Sequence, residues 1–77
     1  MNKKTLTVTF TSYGAIISVT PPGSSITIFS HNIYRIAHTI RILTDTDKRS
    51  AHKYAKMIFK WWKAKAFRTP YTITIRI

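Results

Sequence analysis

The two ends of this chain constrain its fold more than anything between them. Residues 5–13, "TLTVTFTSY", alternate, with Leu6, Val8 and Phe10 on one side and Thr5, Thr7, Thr9 and Thr11 on the other. Residues 71–77, "YTITIRI", set Tyr71, Ile73, Ile75 and Ile77 against Thr72, Thr74 and Arg76. A period of two belongs to a β-strand with one buried face. Both ends therefore enter a sheet that is apolar on one side, and another layer must cover that side.

Two more strands are legible between them. Gly14 offers a turn after the first strand. "AIISVT" (15–20) reads as the second, with Ile17 and Val19 inward. "PPGSS" (21–25) follows, and Pro22-Gly23 suits the central positions of a type II turn. "ITIFS" (26–30) is the third strand of an antiparallel meander.

Residues 31–43, "HNIYRIAHTIRIL", fit two periods. As a helix they place Ile33, Ile36, Ala37, Ile40 and Leu43 on one face and His31, Arg35, His38 and Thr39 on the other, with only Ile42 misplaced. As a strand they turn Tyr34, Ile36, Ile40 and Ile42 inward and Arg35, Thr39 and Arg41 outward. Isoleucine and threonine favour the strand. The spacing favours the helix, which is the expectation adopted. "TDTD" (44–47) then opens a long helix over 45–66. Thr44 is the candidate N-cap, and both aspartates stand where the helix dipole favours anions. Pro70 ends anything helical.

The expected fold is α+β. It is a two-layer sandwich whose antiparallel sheet of three N-terminal strands plus a C-terminal strand is covered on one face by one or two helices. One domain of residues 1–77 is expected, with a threonine-rich outer sheet face. Seventy-seven residues bury only a modest core and leave no room for a deep substrate cavity. The apolar share, 44%, is too high for a disordered basic tail. With no cysteine, disulfides and thiolate metal sites are excluded and packing alone holds the fold. Lys3 and Lys4 resemble the start of a signal peptide, but the alternating threonines that follow break any apolar run. No stretch approaches a membrane span. A cytoplasmic protein is expected, in the host cell if the source is viral.

Charge is the unusual quantity. Thirteen lysines and arginines face only Asp45 and Asp47, giving +11. Such a balance repels itself unless an anion neutralises it. On a helical wheel starting at Lys48, with about 100° per residue, Arg49, Lys53, Lys56, Lys60 and Lys63 fall within roughly 60° to 140°. Ala51, Tyr54, Ala55, Ile58, Trp61 and Trp62 fall opposite, within roughly 220° to 340°, and must bury themselves. Solvated helix faces usually mix charge signs. This one has no acid between Asp47 and the C-terminus, and its lysines neighbour one another at spacings of three and four. A polyanion explains such a face better than solvation does.

Trp61 and Trp62 are expected in the core. Phe59 lies near 20° on the same wheel, beside Lys56 and Lys63, and if exposed would be the ring for stacking on a base. Lys48, Lys65 and Arg68 would extend the footprint, with Phe67 at the helix exit.

Other chemistry is thinly supported. His31, His38 and His52 lack the Cys, Glu or Asp partners that would complete a metal site, so no metal and no cofactor are expected. Ser50 and His52 have no third member for a nucleophilic triad. The glycines are too few for a phosphate-binding loop. A small metal-independent ribonuclease, with His31 or His38 as base, is the one enzymatic alternative. The order strand–strand–strand–helix is similar in architecture to modules that lay a three-stranded sheet in the DNA major groove, but the closing strand departs from it.

The functional expectation is a small non-enzymatic nucleic-acid-binding protein, with the size and charge of a viral or mobile-element accessory regulator and no small-molecule substrate. The alternative is an inhibitor or regulator that docks the same helix on an acidic surface of a larger enzyme or nucleoprotein complex. Binding to an anionic membrane surface also fits a basic helix with tryptophans. It competes with the sheet for the helix's apolar face.

Overall fold

Alternation at the two ends produces the centre of one sheet. In the computed structural model, which describes residues 4–20 and 23–77, β1 (Thr5–Thr11) pairs on one side with β2 (Gly14–Thr20) and on the other with β4 (Tyr71–Arg76). β3 (Ser24–Ile28) adds to the far side of β2, so the order is β3-β2-β1-β4 and every pair is antiparallel. The hydrogen-bonded backbones of Lys4 and Ile77 extend the β1–β4 ladder by one more pair. Two helices, α1 (Ile33–Thr44) and α2 (Lys48–Ala64), cover one face. The expected α+β sandwich is therefore the observed one.

The period of two decides which side they cover. Leu6, Val8, Phe10, Ala15, Ile17, Val19 and Ile73 are buried on the inner face. Ile36 and Ile40 of α1 and Ala51, Ala55, Ile58 and Trp62 of α2 close the core over them. α1 lies over β2 and β3, and α2 reaches β4. The outer face carries cross-strand rows of hydroxyls. Thr74, Thr7, Ser18 and Ser25 form one row, and Thr9 and Thr72, whose hydroxyls are 3.1 Å apart, begin another. β1, the most threonine-rich strand, is interior, and the sheet edges are β3 and β4.

The first turn differs from expectation. The first hairpin turns at Ser12 and Tyr13, not at Gly14, which pairs with Thr11 as the first residue of β2. Gly14 is needed for space. A Cβ there would run into the Ile28 carbonyl oxygen and lie 2.9 Å from the Phe29 Cα. In the second turn, Pro22 lies outside the described residues, as does Lys3. Gly23 has φ +93°, and its N–H donates to the Val19 carbonyl at 2.9 Å.

Residues 33–44 are helical, so the spacing prevailed over β-propensity. Asn32 caps the start, its side-chain oxygen accepting from the N–H groups of Tyr34 (2.9 Å) and Arg35 (3.4 Å). Ile42 is exposed, as the helical layout requires. Thr39 corrects that layout. It is buried because its hydroxyl returns to the Arg35 carbonyl at 3.0 Å, removing the need for water.

Thr44 is a second correction. It is the last residue of α1, not the N-cap of α2, and its buried hydroxyl donates to the Ile40 carbonyl. Asp45 follows in the left-handed region at φ 54° and ends the helix. Asp47 takes the N-cap position, so α2 runs over 48–64 instead of 45–66. Its side chain makes no capping hydrogen bond. The Ser50 hydroxyl nevertheless holds the Asp47 carboxyl below the usual carboxylate pKa, leaving a negative charge at the positive end of the helix dipole.

Candidate polyanion-binding face

α2 is divided along its length. Ala51, Ala55, Ile58 and Trp62 recur at spacings of three and four and are buried against the sheet and α1. Arg49, Lys53, Lys56, Lys60 and Lys63 are all exposed, as are Lys48 before them and Lys65 and Arg68 beyond the helix. The helix is thus held by one side and presents like charges on the other. Nothing on that side carries a compensating carboxylate, so repulsion between neighbouring lysines is relieved only by solvent, salt or an anionic partner.

The helix ends without a glycine. The N–H of Phe67 donates to the Trp62 carbonyl at 3.1 Å and that of Ala66 to the Lys63 carbonyl at 2.9 Å, with Ala66 and Phe67 both at positive φ. This turn folds the chain back so that the Trp62 indole N–H reaches the Arg68 carbonyl at 2.9 Å. Lys65 and Arg68 therefore sit on a turn anchored to the core.

The aromatic residues are sorted differently from the expectation. Trp62 is 4% exposed, but Trp61 is 40% exposed. The buried arc is narrower than the wheel suggested, because α2 meets the sheet and α1 along Ala51, Ala55, Ile58 and Trp62. Trp61 lies on the opposite side of the helix from His52, which faces α1. Phe59 is half-buried, with its ring edge-on to Phe10 at 5.5 Å and to Trp62 at 5.8 Å. It also lines an open concavity with Ser12, His31, Trp62, Phe67 and Thr69. Phe67 is exposed over half its surface, with its ring against Trp62 at 5.0 Å.

The histidines separate as well. The His31 ring Nε2 lies 2.8 Å from the Thr11 carbonyl and 3.0 Å from that of Gly14, which ties the entry of α1 to the first hairpin. His38 and His52 instead share a cleft between the helices. The Lys4 ammonium lies 3.5 Å from the Thr44 carbonyl at the C-terminal end of α1.

One grouping escaped the sequence reading. Tyr34, His38 and Arg41 lie on one face of α1 at spacings of four and three, and Lys48 and His52 lie on the α2 face that meets it. The spacing within each helix was legible, but which two faces meet was not. Among the described residues, no group of three or more His, Cys, Asp or Glu side chains could hold a metal ion. No described helix is long and apolar enough to cross a membrane. In comparisons with known proteins, the chain matches no family model, no curated sequence and no solved structure.

Proposed function

We propose that the protein binds nucleic acid without catalysing a reaction on it, gripping the phosphate backbone with the outward face of α2. One observation carries the reading: Arg49, Lys53, Lys56, Lys60 and Lys63 are all exposed on the side of the helix opposite its buried residues. Lysine ammonium groups are point charges that neutralise phosphates and discriminate bases poorly, so contacts are mainly to the backbone. Lys48, Lys65 and Arg68 extend the face at its two ends. Trp61, 40% exposed on the same helix, offers a ring to an unstacked base. The small size and one-sided charge suit an accessory regulator from a virus or mobile element.

A salt-dependent titration against duplex DNA, single-stranded DNA and RNA tests this. Neutralising about five phosphates gives a logarithmic salt slope near −4 to −5 on duplex DNA. A variant with Lys53, Lys56, Lys60 and Lys63 changed to Gln should bind weakly and flatten the slope. Equal binding by variant and wild type, or salt-insensitive binding, overturns the reading. A stoichiometric protein captured from nuclease-treated lysate, together with no binding to any of the three nucleic acids, would favour docking on an acidic protein surface instead.

A further inference from the structure

Ala37 and Ala51 are buried where α1 and α2 meet. Because both side chains are a single methyl, the helices approach closely there and leave a cleft above them. Its walls are longer side chains: Tyr34, His38 and Arg41 from α1, and Lys48 and His52 from α2. Tyr34, 70% exposed, lies with its ring nearly parallel to that of His52, at 18° and 5.6 Å between centroids. No carboxylate lines the cleft, whose volume is about 330 Å³.

From this arrangement we infer a binding site for a nucleoside phosphate. The cleft combines a guanidinium, an ammonium, two imidazoles and a planar ring open to solvent. Arg41 and Lys48 would take the phosphate, since guanidinium and ammonium groups form charge-assisted hydrogen bonds to its oxygens. Tyr34 would carry the base on its exposed face. The volume stands at the lower end of small-molecule sites, which suits one nucleotide unit. The site goes beyond the α2 stripe. It draws on both helices, and it recognises one nucleotide where the stripe follows a backbone. The nucleotide is either free or the phosphorylated end of a strand.

NMR titration of the full chain with 5′-AMP, adenosine and inorganic phosphate at physiological salt tests the inference. Saturable AMP shifts centred on Tyr34, Ala37, Arg41, Ala51 and His52 are expected. In an Arg41→Gln/Lys48→Gln variant, affinity for AMP should fall at least tenfold, about the loss of one charge-assisted contact. Tyr34→Ala should weaken AMP but leave inorganic phosphate unchanged. All three residues are exposed, so the variants should keep the wild-type circular dichroism. The Lys53, Lys56, Lys60 and Lys63 to Gln variant should retain AMP binding, which separates a failure here from a failure of the stripe. AMP shifts spread along residues 53–63, loss of AMP in that stripe variant, or no saturation would each overturn the cleft. A second arm compares 5′-phosphorylated and 5′-hydroxyl single strands of one sequence. A preference for the phosphorylated strand that disappears in Arg41→Gln/Lys48→Gln assigns the strand end, and equal binding of the two strands assigns the free nucleotide.

Discussion

Phe10 of β1 and Trp62 of α2 stack face to face, with ring centroids 3.9 Å apart and planes within 1° of parallel. The pair joins the two layers at the end of the molecule where α2 turns back. Around it stand the rings of Phe59, His31 and Phe67, all edge-on. Aromatic pairs contribute beyond their buried area, and this cluster fixes the rotation of α2 about its own axis. The cationic face points outward because Trp62 points inward.

The adjacent tryptophans should therefore behave oppositely. Trp62→Ala is expected to cost about 3–5 kcal/mol, the range for removing a large buried ring. Trp61→Ala should cost less than about 1 kcal/mol, since Trp61 is already 40% exposed and stands outside the core cluster. Urea unfolding of the two variants checks this. Equal losses would mean that α2 is rotated from its observed position.

The glycines should fail for different reasons. Gly14→Ala forces a methyl into backbone that cannot move aside, and a loss of roughly 1–3 kcal/mol or more is expected. At Gly23 nothing lies within 4 Å of an added Cβ, so Gly23→Ala meets only the strain of positive φ, about 1–2 kcal/mol. A third variant, Gly14→Ser, should be at least as damaging as Gly14→Ala. Thermal melts in which Gly14→Ala is neutral would refute the close approach of β3.

Changing Lys53, Lys56, Lys60 and Lys63 to Gln should stabilise the free protein at low ionic strength. Each relieved like-charge pair at spacing three or four returns roughly 0.2–0.5 kcal/mol. The gain should nearly vanish at about 1 M salt, where the screening length falls to about 3 Å. Melting temperatures of wild type and variant across a salt series measure it. A salt-independent difference would show that the lysines are not repelling one another.

Asp47 should make stability depend on acid pH. The Ser50 hydroxyl lowers its pKa in the folded protein. A carboxyl with a depressed folded pKa stabilises the fold above its unfolded pKa, and that contribution disappears as pH falls through the folded value. Urea unfolding of wild type and Asp47→Asn between about pH 6 and pH 2 should give curves that converge on acidification. A constant gap across that range would remove Asp47 from the pH response.

What the sequence determined by itself is whatever repeats within one element. Alternation marked the inner faces of β1 and β4, spacings of three and four marked α1 against its β-propensity, and the same arithmetic put Arg49, Lys53, Lys56, Lys60 and Lys63 on one outward stripe. Each is a local periodicity, set by backbone geometry before anything packs. Tertiary structure decided what depends on a neighbour. Trp61 and Trp62 both fit the apolar half of the wheel, and only the meeting of α2 with Phe10 and the rest of the core buries one and exposes the other. Thr44 fits a cap before one helix or a buried end of another, and the tight α1–α2 connection selected the second. Gly14 reads as a turn residue until the carbonyl of Ile28 is seen beside it. The cleft of Tyr34, His38, Arg41, Lys48 and His52 belongs to no single element. It exists because two alanines, fourteen positions apart in the chain, let two helices touch.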